Sequence, residues 1–242
     1  MRMTARDFDI IKAVARFGQL SSGQIQAMFF HNNASKTPLD RTLTRLASSK
    51  YLAVLERRPI GGRGAGSGQY VYQLGSAGWE VCRVQGKYTP YRVIKPHMLM
   101  IGDVFVQLQE LTRVTDLALT GYATEPDTHR RVNGYEVRPD LFVELESQEP
   151  RARLSVWIEV DLGTERQRQL RDKLQRFYKA WIGSEDSNGA AFPMVVFVVP
   201  DELRRREIES LIEDDEDYPD GLFNVWLLED VATSVSGVFS TT

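Results

Sequence analysis

Three carboxylates in the middle of the chain are spaced so that they could bind a divalent metal ion. Residues 154–161 alternate between apolar and other side chains, as in a β-strand, so Glu159 and Asp161 share one face. Asp140 follows Pro139, a residue that fits the start of a strand and not its centre. If the three carboxylates converge, their oxygen atoms suit Mg²⁺ or Mn²⁺.

The elements that must position these carboxylates lie between Arg138 and Tyr178. The pattern predicts a strand, a tight turn at residues 147–150, a second strand and a helix. The turn would make the two strands antiparallel. We expect Asp140 to lie beside Glu159 only if this hairpin is strongly twisted or bent.

The helix after these strands carries a lysine on its apolar face. Leu170, Leu174, Phe177 and Trp181 form a stripe at helical spacing, and Lys173 falls on it. A lysine there costs free energy unless it meets an opposite charge or keeps its ammonium group in water. The carboxylates at the end of the preceding strand are the candidate partners.

Length and composition indicate an intracellular globular protein of 242 residues. Cys82 is the only cysteine, which rules out an internal disulfide bond and fits the cytoplasm. The first residues lack an apolar signal core, and the sequence has no apolar run of about 18 residues. We therefore expect a cytoplasmic protein with no membrane partner.

Charge divides the chain into a basic and an acidic part. Residues 1–90 have 13 Lys or Arg and 5 Asp or Glu, whereas residues 91–242 have 17 and 28. This division predicts that the first part binds a polyanion. An accidental imbalance between two ordinary domains is the alternative.

Three short helices are predicted at the start of the chain. Their capping residues are Thr4 with Asp7, Ser21 with Gln24, and Thr37 with Pro38 and Asp40. The outer face of the third helix is polar and basic, as DNA recognition requires. Two strands follow, at residues 51–58 and 69–74, joined by a glycine-rich basic segment.

This order of elements resembles the winged helix-turn-helix fold over residues 4 to 84. The resemblance implies that the third helix enters the major groove of double-stranded DNA and that the hairpin, or wing, contacts the DNA as well. The implied DNA-binding residues are Arg41, Thr44, Arg45 and Lys50 on the helix, and Arg57, Arg58 and Arg63 on the wing. A winged helix that binds protein is the alternative.

We predict a winged-helix domain at residues 1–84, a linker at 85–96 and a second domain at 97–242. A helix from Gly75 to Val84 should close the first domain, with Trp79 and Val81 or Cys82 packed inward. The second domain should be an α/β sandwich around a mixed sheet. Residues 123–134 should form a surface loop, Leu203 and Ile208 should anchor a charged helix, and the C-terminal tail should be frayed.

The second domain resembles the PD-(D/E)XK nuclease-like fold, with Pro139-Asp140 on one strand and Glu159-Val160-Asp161 on the next. The resemblance implies that Asp140 and Glu159 hold Mg²⁺ and that a lysine two residues after the glutamate assists the attacking water. That position is Asp161 here, which argues against cleavage. Lys173 could substitute from the helix, as migrated lysines do in some members of this superfamily.

The whole chain is similar to the replication-relaxation family of plasmids, phages and other mobile elements. The residues that carry this similarity are the EVDxGTE motif, from Glu159 to Glu165, and the downstream Lys173 and Tyr178. The family implies DNA binding connected with replication or maintenance of the element.

The residues leave two functions open. One is a DNA-binding protein whose nuclease-like domain no longer cuts and serves dimerisation or docking of a protein partner. The other is a Mg²⁺-dependent endodeoxyribonuclease with catalytic Asp140, Glu159 and Lys173 and the metal ligands Asp140, Glu159 and Asp161. A buried ion-pair network without a ligand is the third interpretation of the same residues.

Overall fold

The computed structural model describes residues 3–58, 69–182 and 192–241. The chain is divided into two compact units, residues 1–106 and 107–242. The sequence predicted the change of domain within residues 85–96, whereas this division falls further along, inside a helix.

The first unit begins with three helices, α1 (Ala5–Phe17), α2 (Ser22–Phe29) and α3 (Thr37–Ser48). Both predicted capping boxes are present, because Thr4 and Ser21 each exchange hydrogen bonds with the residue three positions later. The third helix has Lys36 at its N-cap and no side-chain cap, so Thr37 lies inside the helix.

A three-stranded antiparallel sheet completes this arrangement. Its strands are β1 (Leu20–Ser21), β2 (Leu52–Arg58) and β3 (Gln69–Leu74), in the order β1-β3-β2. The sequence predicted β2 and β3 but not β1. A strand of two residues is too short to show a periodic pattern, and it exists because Leu20 pairs with Tyr72.

The segment predicted to be a linker packs onto the first unit. After the short helix α4 (Ser76–Val81), Gln73 exchanges two hydrogen bonds with the backbone of Tyr91, and Gln19 bonds to the backbone of Val93. These buried glutamines were not expected to have partners so far along the chain. Of the two residues predicted as alternatives to pack inward with Trp79, Val81 is 42% exposed and Cys82 is half-buried.

The long helix α5 (Pro96–Val114) contains the division between the two units. In the first unit, Gln24 donates one hydrogen bond to the backbone of Leu99 and one to Asp103. The predicted helix from His97 is therefore present, and its first turns pack against α2.

The strands of the second unit are β4 (Ala118–Thr124), β5 (Arg130–Val132), β6 (Tyr135–Val137), β7 (Leu141–Gln148), β8 (Arg151–Val160), β9 (Met194–Val199) and β10 (Phe223–Leu227). Five of them form a mixed sheet in the order β10-β9-β8-β7-β4. β8 pairs antiparallel with β7 and parallel with β9. A separate hairpin, β5 with β6, lies between β4 and β7 in the sequence.

The first strand and the turn of the β5–β6 hairpin lie within residues 123–134, which were expected to be only a surface loop, and β6 follows directly. Asn133 and Gly134 form its turn, and both have positive φ angles, of 48° and 82°. Asn-Gly is the preferred pair for such a turn, so the signal was present in the sequence. Asn133 also donates a hydrogen bond to the backbone of Ala180.

Two helices, α6 (Gln167–Ile182) and α7 (Glu202–Glu213), contribute to a core on one face of this sheet. Leu174 and Phe177 of α6 pack in this core with Trp157 of β8 and Phe197 of β9. Burial of such side chains contributes about 1.5–3 kcal/mol each. The prediction for α7 was wrong in one respect, because Leu203 is 73% exposed.

The chain ends in a helix, α8 (Val231–Thr241), which begins after one turn of 3₁₀-helix. The prediction that the C-terminal tail is frayed is therefore wrong. Val231 and Val235 are buried at helical spacing, and their burial stabilises the segment despite its many serine and threonine residues.

Candidate functional site

The register of the β7–β8 hairpin places Asp140 beside Glu159. Gln148 pairs with Arg151, and the pairing continues without a shift to Leu141 and Ile158. The next residues outward are Asp140 and Glu159. The register alone therefore accounts for the proximity of these carboxylates, which the sequence analysis made conditional on a strongly twisted or bent hairpin.

Asp140 is also tied to β8 by a hydrogen bond. The backbone N–H of Val160 donates to Oδ2 of Asp140 at 2.7 Å. The Asp140 side chain is nearly buried, with 7% of the residue exposed. Its position at the end of β7 is therefore determined by the backbone of the neighbouring strand.

Lys173 of α6 connects two carboxylates. Its Nζ lies 2.9 Å from Oε2 of Glu159 and 3.0 Å from Oε1 of Glu165. Glu159 is 3% exposed, whereas the Lys173 side chain is 23% exposed. The predicted contact between Lys173 and a carboxylate at the strand end is therefore confirmed. Glu165 is a third member of the cluster that the sequence analysis did not single out.

Burial dominates the protonation of Glu159. Burial and the nearby charge of Asp140 raise its pKa from the ordinary 4.5 to about 8, although Lys173 opposes the rise. Burial alone would lower the pKa of Lys173, but the carboxylates of Glu159 and Glu165 more than offset it, so the pKa is raised. Lys173 is thus a cation at neutral pH, beside a carboxyl group that can hold a proton.

Asp161 has a different partner. Nε and Nη2 of Arg204 donate to its two carboxylate oxygens at 3.0 and 2.9 Å, and the N–H of Gly163 donates to Oδ1 at 2.5 Å. Arg204 also donates to the backbone carbonyl of Glu165 at 2.8 Å. This buried bidentate pair joins α7 to the loop that carries Glu165.

Only two of the three predicted metal ligands, Asp140 and Glu159, lie side by side, whereas Asp161 pairs with Arg204. Asp161 uses both carboxylate oxygens for Arg204, and Glu159 accepts a hydrogen bond from Lys173. Within the described ranges, no group of three or more His, Cys, Asp or Glu side chains could hold a metal ion. The side chains as placed therefore do not fit the predicted Mg²⁺ or Mn²⁺ site.

Arg204 was missed because it lies in a run of charged residues. Its position is nonetheless four residues before Ile208 and seven before Leu211, and both of these are buried. Helical spacing therefore places Arg204 on the inner face of α7. The same spacing places Leu203 outside.

The first unit presents a second candidate site, on α3. Arg41, Thr44 and Lys50, which follows the helix, are exposed. Arg45 is half-buried, and its Nη2 lies 2.6 Å from Oδ1 of Asp7, a buried residue of α1. Arg45 therefore holds α1 against α3, a role that the sequence analysis did not assign to it.

The predicted wing residues are only partly within the described part of the chain. The backbone of Arg57 and Arg58 lies in the last two positions of β2. Arg63 lies outside the described residues.

The cluster around Glu159 has two chemical capabilities. A carboxyl group whose pKa is about 8 can take up or release a proton near neutral pH. The partly exposed ammonium group of Lys173 can contact an anion such as a phosphate group. An ion-pair network with a purely structural role would have the same geometry.

No curated protein matches the chain. A solved structure of the restriction endonuclease FokI bound to DNA aligns with 98% of this chain and 45% of its own, at 12% identity and a TM-score of 0.32. This chain thus spans less than half the length of that structure, and the likeness supports no conclusion about function.

Among the residues that the structure describes, no helix has both the length and the apolar character needed to cross a membrane.

The model of the replication-relaxation family matches residues 11–195, well over half of the chain. The chain therefore belongs to the replication-relaxation family.

Proposed function

We propose that this protein binds double-stranded DNA through its first unit and acts in the replication, maintenance or regulation of a plasmid, phage or other mobile element. The observation that carries the proposal is the exposed basic and polar surface formed by Arg41, Thr44 and Lys50 at α3. Membership of the replication-relaxation family supports a role connected with replication.

The order of elements in the first unit supports a winged helix-turn-helix fold. Three helices are followed by the β2–β3 hairpin, and β1, between α1 and α2, pairs with β3. In this fold the third helix enters the major groove. We assign that role to α3 and the role of the wing to the hairpin, including Arg57, Arg58 and Arg63.

The salt bridge between Arg45 and Asp7 divides the basic residues of α3 by role. Asp7 is 1% exposed, so removal of Arg45 would leave a buried carboxylate without its cation. Arg41 has no hydrogen-bond or ion-pair partner within the described parts of the chain. We therefore assign DNA contact chiefly to Arg41, Thr44 and Lys50, and a structural role to Arg45.

The test is DNA affinity after the exposed cations are removed. The Arg41→Ala/Lys50→Ala variant should bind a labelled DNA duplex about 10-fold or more weakly, because two charged contacts are lost. The matched control is Arg92→Ala/Lys87→Ala, which removes two exposed cations elsewhere in the first unit. Equal losses in both variants would refute the α3 assignment.

For the second unit we propose a PD-(D/E)XK nuclease-like domain that no longer cleaves DNA and serves dimerisation or docking of a protein partner. The support is the pairing of its charged groups with one another. Lys173 contacts Glu159 and Glu165, and Arg204 contacts Asp161. Such a network can stabilise an architecture without binding a ligand.

A Mg²⁺-dependent endonuclease is the second candidate, using Asp140, Glu159, Asp161 and Lys173. It is favoured by the placement of Asp140, Glu159 and Lys173 at the same end of the sheet. Metal binding by Asp161 would require it to leave Arg204.

Incubation with supercoiled, linear and branched DNA, each with Mg²⁺ or Mn²⁺, distinguishes the two candidates. The first predicts no cleavage. Cleavage that is lost in Glu159→Gln and retained in Glu146→Gln, a half-buried control residue of β7 away from Asp140, would establish the second.

A further inference from the structure

The outer face of α6 is a basic surface within an acidic unit. Residues 166–179 contain six Lys or Arg and one Asp, whereas the rest of residues 107–242 contains 9 Lys or Arg and 26 Asp or Glu. The concentration of positive charge on this one helix therefore needs a local explanation.

Helical geometry places four of these residues on the side away from the core. Arg168 and Lys179 lie near one line along the helix, because they are eleven residues, or about three turns, apart, and Arg171 and Arg176 lie on either side of this line. All four are exposed, whereas Leu170 and Leu174, on the opposite side, are fully buried. We call Arg168, Arg171, Arg176 and Lys179 the α6 basic stripe.

The protein compensates part of the stripe's charge. Asp172 is exposed and lies four residues after Arg168 and four before Arg176, so its carboxylate lowers the positive charge between them. Arg171 lies 3.4 Å from Asp214, and both side chains are more than half exposed, so this pair is weak. Lys179 lies over the ring of Tyr135 at 6.0 Å, a contact that leaves the ammonium group exposed. Across the ranges that the structure covers, Arg168 and Arg176 have no hydrogen-bond or ion-pair partner.

The dimensions of the stripe match a nucleic acid strand. From residue 168 to residue 179 the helix rises about 16 Å, which is the axial length of about five base pairs of DNA. Arg176 lies three residues after Lys173, so the stripe also runs beside the Glu159–Lys173 pair. Cations spaced along one exposed line can contact successive phosphate groups.

We propose that the α6 basic stripe is a second DNA contact, which binds the phosphate backbone of duplex DNA. The partner is DNA because the stripe offers four exposed cations, two of them guanidinium groups without an ion-pair partner in the described ranges, to a polyanion within a unit that would otherwise repel one. The inference rests on the proposed DNA-binding function. It adds that the second unit takes part in the binding, without cleavage being required.

The test uses the full chain and a fluorescein-labelled duplex of about 40 base pairs, with a single strand of the same length as a second probe. The Arg168→Ala/Arg176→Ala variant removes two exposed arginines that have no intramolecular partner, so the fold should be retained. The matched control, Arg113→Ala/Arg151→Ala, removes two exposed arginines of the same unit outside the stripe and changes the net charge equally.

We expect the stripe variant to bind the duplex at least about fivefold more weakly than the control near 100 mM salt. The slope of log K against log salt concentration should fall by about 2, because each phosphate contact contributes about 0.9. Affinity and slope equal to those of the control on both probes would overturn the inference. The inference would also be overturned if only the oligomeric state changed, because the stripe would then bind the acidic segment 213–220 of another copy.

The same assay separates this inference from the proposed role of α3. Normal binding by the stripe variant, with loss in Arg41→Ala/Lys50→Ala, would overturn only the inference about α6. Loss in the stripe variant with normal binding by the α3 variant would overturn the assignment to the first unit and leave the α6 contact standing.

Discussion

Nζ of Lys173 lies 2.9 Å from Oε2 of Glu159, although the two residues are 14 positions apart on different elements. The lysine occupies a position on the inner side of α6 that would otherwise be apolar, and it reaches the end of β8. Removal of both charged groups from water is costly. The charges of Asp140 and Glu165 also act on this pair. The site is therefore an electrostatically coupled cluster.

The raised pKa of Glu159 predicts how stability depends on pH. A group that binds its proton more tightly in the folded protein contributes its full stabilisation below pH 4.5 and loses it as pH rises through about 8. The Glu159→Gln variant lacks this loss. Its free energy of unfolding relative to the wild type should therefore increase by on the order of 4 kcal/mol between about pH 5 and about pH 9, because each pH unit up to about 8 contributes about 1.4 kcal/mol. Urea titrations at the two pH values measure the difference, and a decrease would contradict the assignment.

Two substitutions around Glu159 should move its pKa in opposite directions. Asp140→Asn removes a neighbouring negative charge and should lower the pKa below about 8, whereas Lys173→Met removes a positive charge and should raise it. A ¹³C NMR titration of labelled glutamate side chains measures both shifts, with Glu159→Gln for assignment and Glu146→Gln as a distant control. Shifts in the same direction would show that the electrostatic description is wrong.

The Arg204–Asp161 pair should be important for stability, and the effects of replacing its two residues on the free energy of unfolding should not add. Arg204→Met leaves the buried carboxylate of Asp161 unpaired, which should cost about 3–5 kcal/mol. Asp161→Asn in the same chain should recover a large part of that loss, because no charge is then left buried. A double-mutant cycle by urea unfolding measures the coupling, and additive effects would mean that the pair is not coupled.

Replacement of Arg45 should lower stability more than replacement of Arg41, although both residues lie on α3. Arg45→Ala breaks the contact with buried Asp7 and should lower the free energy of unfolding by on the order of 1–2 kcal/mol. Arg41→Ala should leave stability within about 0.5 kcal/mol of the wild type, because the residue is exposed. Thermal and urea unfolding compare them. A stable Arg45→Ala protein that cannot bind DNA would return Arg45 to the DNA-binding surface.

Local patterns in the sequence predicted the parts of the fold that depend on neighbouring residues. The capping boxes at Thr4 and Ser21, the strands β2 and β3, and the apolar face of α6 are of this kind. The contact of Lys173 with a carboxylate was also predictable, because a lysine on an apolar stripe requires a counter-charge.

Features that depend on distant pairing were not predicted. Arg204 could be recognised as buried only from its spacing with Ile208 and Leu211, and its partner Asp161 is 43 positions away. The buried residues Gln73 and Gln19 form hydrogen bonds with the segment that was predicted to be a linker. The two glutamines carry no periodic signal, so their burial follows only from the assembled fold. For Arg204 the spacing indicates the buried face, but the partner follows only from the assembled fold.

The most direct measurement of the central claim is the affinity of the whole protein for duplex DNA as a function of salt. We predict that the wild-type protein binds a labelled duplex at about 50 mM salt and that log K falls linearly with log salt concentration, with a slope of several units. The slope should be about 2 units smaller in Arg41→Ala/Lys50→Ala, because two phosphate contacts are lost. No binding at about 50 mM salt, or binding that does not depend on salt, would contradict the account.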